Sequence, residues 1–408
     1  MSFWDFFAGL HTLFTQDWDT SLVRVLLIFL GFLLIYLGYR QTLEPLLMIP
    51  MGIGIIAVNA GVLYFEAKDA TAAREAGTLF VAPLISDPTE LMKYLQIDFL
   101  QPIYNFTFSN GLIACLVFMG IGAITDIDYL IAKPWMSMVL AAGAELGTIA
   151  TLPIAVASGL TPREAASVAL VGGADGPVVL FGSIRLAPQI FVPLSVVAYV
   201  YLSLCYAGYP YLIKGLVPKA QRGIRMDLKD IPKISPGEKF AFAIIACGVL
   251  SLLFPMGAPL FASFFVGVAV KEARINRYIE LLSGPVLYGS TFFLGFTLGA
   301  LLSADIIMNS TVAKLLGLGM LALFLSGVGG LIAGMIWMKF SKKPFNPLVG
   351  IAGVSCVPTT AKVAQKCAFE SNKLAMITPY AMGPNVAGVI TTAILGSIYV
   401  GVVPEFFK

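Results

Sequence analysis

Residues 171–188 read VGGADGPVVLFGSIRLAP. Asp175 stands there between glycines and a proline, in a chain that is otherwise one apolar run after another. Of the 408 residues, 58% are hydrophobic and 12% charged, with a mean hydropathy of +0.88. A soluble domain carries roughly 25% charged residues. Several stretches also exceed the ~18 apolar residues that mark a membrane-spanning helix. The sequence therefore specifies an all-α polytopic membrane protein. At the centre of a spanning helix an aspartate costs about 2.5–3.5 kcal/mol, so such a residue faces a polar interior or an ion path. Asp followed by Gly176-Pro177 is also good start chemistry for a half-helix. The two readings are compatible, because a broken helix needs a cap and exposes carbonyls to a cation.

Working outward, apolar segments fall at about 22–39, 45–64, 111–131, 135–160, 189–213, 240–255, 258–270, 278–302, 313–338 and 374–403. That makes about ten spans. Two more segments, 162–186 and 346–368, are interrupted by Gly, Pro and polar residues. The pair 240–255 and 258–270, split by PMGAP, is either two tilted spans or one broken hairpin. Residues 66–110 form a mixed loop with one short apolar run, GTLFVAPLI.

Cytoplasmic loops are enriched in Lys and Arg. The loop 214–239 is the richest in both, and KEARINR (271–277) and KFSKK (339–343) follow it. With these loops inside, the segments alternate only if 162–186 re-enters from the outer side and 346–368 from the inner side. Residues 22–213 then read as four spans, a re-entrant broken helix and a fifth span, and 240–403 repeats the series. An odd number of crossings puts the second half on the opposite face. Such inverted-topology repeats bring their two broken helices together near the midplane. GADGP and GVSCVP are expected to meet there. The expected organisation is an interfacial helix at 1–21, a first repeat at 22–217, a basic linker at 218–239 and a second repeat at 240–408. The aromatic N-terminus suits a surface helix and lacks the basic n-region of a signal peptide.

Composition excludes several classes. A net charge of +3 implies no nucleic-acid partner, and the five cysteines have no CxxC spacing. His11 is the sole histidine, and no phosphate loop, HExxH or hydrolase elbow is present. The second break, NPLVGIAGVSCVPTTAKVAQK (346–366), instead supplies neutral oxygen donors in Asn346, Ser355, Thr359 and Thr360. Oxygen ligands of this sort suit hard cations such as Na⁺. AMGPNVAG (381–388) adds Asn385, a ligand or an interhelical hydrogen-bonding residue. Tyr201, in the span after Asp175, reads as a packing or interfacial residue. Lys362 is an inner-side charge or a grip for an anionic group. Glu145 is a second acid near midplane depth, functional or paired to a polar group. SGVGGLIAG (326–334) reads as close helix packing.

VGGADGP, NPLVGIAGVSCVP and AMGPNVAGVI closely resemble the motifs of the β subunits of bacterial sodium-pumping, biotin-dependent decarboxylases, which act on oxaloacetate, glutaconyl-CoA or methylmalonyl-CoA. LEPLLMIPMGIG (43–54) and MGIGAITDI (119–127) are similar to that family's too, and the resemblance runs from about 22 to 403. It implies a membrane translocase subunit that decarboxylates carboxybiotin with proton uptake and couples this to Na⁺ export. It implies carboxybiotin presented by a biotin carrier subunit, with carboxyltransferase and small membrane subunits as further partners. A homo-oligomer such as a trimer, in the bacterial cytoplasmic membrane, also follows from it. Carried over by motif position, Asp175 is the central Na⁺- and proton-linked acid. Asn346, Gly350, Ser355 and Asn385 line the cation path, Ser355 and Lys362 contact carboxybiotin, and Tyr201 is a polar partner. Lys362 stands where the family pattern has arginine, which keeps the charge and loses the bidentate fork. Glu145 has no family role. From architecture alone, a Na⁺/H⁺ or Na⁺/carboxylate secondary transporter fits equally.

Overall fold

A computed structural model describes residues 7–65, 75–78, 80, 99–227, 234–308 and 310–406. Residues 1–6 of the expected surface helix, most of GTLFVAPLI and residues 228–233 of the expected linker lie outside them.

The described chain is helical apart from turns and a short antiparallel pair, Leu63–Phe65 with Glu75–Gly77, at the start of the mixed loop. Six helices are long and apolar enough to cross a membrane: Trp18–Tyr39, Pro134–Ala157, Pro236–Leu253, Asn276–Leu301, Thr311–Phe340 and Thr378–Glu405. A seventh arises if Gln101–Phe108 and Leu112–Ile124, bent by 68°, count as one span. The remaining apolar runs yield shorter helices or helices broken by proline and glycine, so fewer helices reach spanning length than the apolar runs suggest. Pro45–Ala60, for instance, has 16 residues, about 24 Å at 1.5 Å per residue.

The chain forms two compact units. One comprises Met1–Ile113 and Thr291–Lys314. Within it Trp18–Tyr39 packs on Pro45–Ala60 through glycines. A Cβ at Gly31 would lie 2.7 Å from the Gly52 carbonyl oxygen, and one at Gly52 would lie 2.6 Å from that of Gly31. Small residues permit this backbone approach where lipid supplies no hydrophobic drive. Arg24 is 1% exposed in this unit. Its guanidinium donates to Asn59 O at 3.0 Å, Thr12 Oγ1 at 3.1 Å and Gln16 Oε1 at 2.6 Å. It thereby ties the helix Ala8–Thr15 to the hairpin.

The other unit comprises Ala114–Ser290 and Leu315–Lys408 and contains both broken segments. Pro134–Ala144 and Leu146–Ala157 run end to end through Glu145. Pro236–Leu253 and Ala258–Glu272 form a helical hairpin around the turn Pro255–Gly257. Its second helix, at 15 residues, falls short of a ~30 Å hydrocarbon core. Lys239 fastens the base of this hairpin by pairing with Asp128 at 2.9 Å and Glu272 at 3.1 Å. The small-residue run 326–334 packs as expected, with Gly330 and Gly334 directly against Gly350.

Candidate functional site

Each apolar run that the sequence marks as broken is broken. In the first, Thr161 and Glu164 form a reciprocal capping box that opens Pro162–Ala169. A 3-10 turn, Leu170–Gly173, follows, and Ala174 takes the left-handed conformation at φ 55°. That reversal delivers Asp175 to the N-cap of Gly176–Leu186, where Oδ1 accepts from Val178 N at 3.4 Å. In the second, Asn346 caps a 3-10 turn, Pro347–Gly353, extended residues follow, and a helix resumes at Thr359–Ser371.

The two breaks meet. Ser355 N donates to Gly173 O at 3.1 Å, and Ser355 Oγ donates to Asp175 Oδ2 at 3.0 Å. Asp175 and Ser355 are 6% and 3% exposed, so the carboxyl keeps little water and depends on these donors. The last helix, Thr378–Phe406, closes the group. Asn385 Nδ2 donates to Ala352 O at 2.9 Å, Val354 O at 3.3 Å and Thr360 Oγ1 at 2.9 Å. These acceptors fix the amide's orientation. Asn385 Oδ1 is buried and has no donor among the described residues. Asp175, Ser355, Asn385 and the carbonyls freed at the second break thus form one connected, oxygen-rich group. Oxygen donors of this kind are those a hard cation takes. Among the described residues no group of three His, Cys, Asp or Glu could hold a metal ion, so neutral oxygens would supply most ligands.

The other candidates make their contacts elsewhere. Asn346 uses both ends of its amide on backbone: Oδ1 accepts from Leu348 N, and Nδ2 donates to Arg222 O and Ile224 O, each at 2.9 Å. It secures the second break to the loop beyond the helix Phe191–Leu216. Gly350 fills a packing seam, where a Cβ would lie 2.8 Å from Gly334 Cα and N. Tyr201 donates its hydroxyl to Leu316 O at 2.7 Å. Lys362 is exposed on the helix Thr359–Ser371.

Tyr199 and the partners of Glu145 escaped the sequence reading. Tyr199, two residues from Tyr201 and 3% exposed, lays its ring and hydroxyl against Gly176, the neighbour of Asp175. Glu145, 3% exposed, is held by three threonines on two helices: Thr148 donates to Oε2 at 2.7 Å, and Thr392 and Thr391 to Oε1 at 2.5 and 3.2 Å.

A cavity of about 980 Å³ opens among the basic loops of the same unit, with Lys133, Arg225, Lys342 and Lys343 in its lining against one acid, Asp227. Tyr129 and Tyr380 form an edge-to-face pair in its wall, with ring centroids 4.7 Å apart. Tyr380 belongs to the last helix, and Tyr129 packs on Gly383, two residues before Asn385. The cavity wall and the oxygen-rich group are therefore built on the same turns of one helix.

Comparison with known proteins matches this architecture to a family. Residues 23–403 fit the family model of the Na⁺-transporting oxaloacetate decarboxylase beta subunit. The chain is 52% identical to a carboxybiotin decarboxylase of Malonomonas rubra, with 97% of this chain and 96% of the relative covered. It is 32% identical to the methylmalonyl-CoA decarboxylase subunit beta of Propionigenium modestum, over 94% of this chain and 96% of that one. It is also 32% identical to oxaloacetate decarboxylase beta chain 2 of Salmonella typhimurium, over 92% and 94%. With its two membrane breaks joined at an aspartate, this chain belongs to the family of Na⁺-transporting oxaloacetate decarboxylase beta subunits.

Proposed function

We propose that this chain decarboxylates carboxybiotin and uses that reaction to export Na⁺, with the Asp175–Ser355–Asn385 group as the exchange site for Na⁺ and H⁺. The observation that carries the reading is the Ser355–Asp175 hydrogen bond, which joins two severed helices at a buried acid. In the reaction the N–CO₂⁻ bond of carboxybiotin breaks and CO₂ leaves. The bonding pair stays on the ureido nitrogen, which takes up one proton. Protonated Asp175 supplies that proton and becomes a carboxylate, the form that bound Na⁺ favours. Proton loss and Na⁺ uptake are thereby linked at one group. Moving one charge against 100 mV costs about 2.3 kcal/mol, within reach of an exergonic decarboxylation.

The basic cavity supports an inner-face approach for the anionic substrate, its cations drawing in the carboxylate and its tyrosines flanking a planar ring. Ser355 and Lys362 serve carboxybiotin on the same side, while Asn346, Gly350 and Tyr201 hold the breaks and the adjoining helix in register. The arrangement is about ten spans, short ones included, in two inverted repeats at 22–217 and 240–408, with 1–21 at the membrane surface and 218–239 as a basic linker. As a β subunit the chain works beside other subunits. Those proposed are the biotin carrier, the carboxyltransferase and a small membrane subunit, with the β chains forming a homo-oligomer such as a trimer in the bacterial cytoplasmic membrane.

The test is Na⁺ uptake into inverted vesicles carrying the whole complex. Avidin, which sequesters biotin, is expected to stop uptake; uptake that survives avidin identifies an exchanger acting alone. Asp175→Asn is expected to abolish decarboxylation and transport together, and an active variant overturns the proposal.

A further inference from the structure

Glu145 belongs to neither of the breaks and takes no part in the exchange at Asp175. It is 3% exposed, and its hydroxyl partners Thr148 and Thr392 are fully buried. Thr148 and Thr392 hydrogen-bond the carboxyl at O···O distances of 2.7 and 2.5 Å. Yet no Lys or Arg among the described residues pairs with Glu145, since the ion pairs there join Lys214 to Glu370 and Lys239 to Asp128 and Glu272. A carboxylate buried without a cationic partner is costly enough that it takes a proton or a bound cation. The surroundings suit the cation. Each threonine oxygen that donates its single proton to the carboxylate keeps lone pairs for a hard ion. Thr151, one turn beyond Thr148 on the same helix face, is also fully buried, and its hydroxyl has no partner among the described residues.

This oxygen cluster adjoins the first break. A Cβ at Gly172 would lie 2.6 Å from Thr148 N, and one at Gly173 would lie 2.7 Å from Thr392 Oγ1. Gly173 in turn accepts the Ser355 backbone bond. Thr392 thus touches both Glu145 and the backbone two residues before Asp175. Thr391 donates to Gly388 O at 3.0 Å as well as toward Glu145, and Gly388 packs against Ser355. One layer of side chains therefore separates Glu145 from the group around Asp175.

We propose that Glu145, with the hydroxyls of Thr148, Thr391 and Thr392, is a second Na⁺ site. The inference rests on the reading of Asp175 as a Na⁺ site only in assigning the ion; its own geometry is independent. Direct ²²Na⁺ binding to the purified complex tests it without relying on turnover. Wild-type complex is expected to bind one Na⁺ equivalent per β chain more than the Glu145→Gln complex does. A wild-type complex that binds no more than the variant overturns the second site. Asp175→Asn, measured in parallel, is expected to lose a different equivalent. If Asp175→Asn binds as wild type while Glu145→Gln has lost its equivalent, the exchange site falls and the second site stands; the reverse pattern sinks only the second site. Should Glu145→Gln fail to assemble, Thr392→Val, which keeps shape and removes one ligand, decides the matter. It is expected to weaken one class of Na⁺ by about tenfold, and an unchanged isotherm overturns the proposal.

Discussion

The hydroxyl of Ser355 lies 3.0 Å from Asp175 Oδ2, while its backbone N–H reaches Gly173 two residues earlier. One residue of the second break thus grips the first break twice, once through backbone and once through side chain. Only the side-chain grip is sensitive to the charge on Asp175, so mutation can separate joining the breaks from tuning the acid.

Ser355→Ala removes the hydroxyl and keeps the backbone bond. Hydrogen bonds to charged groups are worth about 1.5–3 kcal/mol. The apparent Na⁺ constant for decarboxylation is expected to rise by about tenfold or more, with a normally assembled complex by gel filtration. An unchanged Na⁺ titration would show that the bond does not tune the acid.

Asn385→Ala strips three acceptors of their shared donor, including the Ala352 and Val354 carbonyls. Thr360 Oγ1 still donates to Val354 O at 2.7 Å, so the cost is that of the lost bonds, about 0.5–1.5 kcal/mol each. A lowered unfolding temperature in detergent is expected together with lost Na⁺ binding. Asn385→Asp keeps the Oδ1 position and loses the donors, so it is expected to destabilise to a similar degree.

Tyr199 and Tyr201 divide their work. Tyr201→Phe forfeits the bond to Leu316 O, about 0.5–1.5 kcal/mol, and is expected to lower thermal stability while the apparent Na⁺ constant stays put. Tyr199 packs against Gly176 beside Asp175, and Tyr199→Phe is expected to shift the Na⁺ constant. Reversed results would return Tyr201 to the exchange site.

Lys342→Glu places an acid in the wall of the basic cavity. The apparent KM for the carboxylated carrier is expected to rise, most at low ionic strength, because exposed charges are screened beyond about 10 Å at 0.1 M salt. A KM insensitive to both mutation and salt would move the approach of the anion elsewhere.

That these polar residues interrupt apolar runs was legible in the sequence; the direction each takes around its helix was not. Asp175, Ser355 and Asn385 were readable because glycine, proline and polar groups inside apolar runs are too costly to be accidental, and all three converge. Tyr199 and Tyr201 have the same composition and depth, and a two-residue step turns a helix by roughly 200°. No periodicity could say which faced the acid. Asn346 and Gly350 stand in the right segment, but whether an amide turns to a loop carbonyl, or a glycine to a neighbouring helix, is settled by packing between distant segments. Glu145 was visible as an oddity, whereas Thr391 and Thr392, some 246 residues further along, gave no local sign of being its partners.

Asn385 has the last consequence. Pinned by carbonyls and a hydroxyl, its amide cannot rotate to suit a guest, and its oxygen stands at a fixed reach from the opposite wall. Under the proposed exchange, a group held this rigidly would sort alkali ions by radius, lithium too small to reach every oxygen at once and potassium large enough to push them apart.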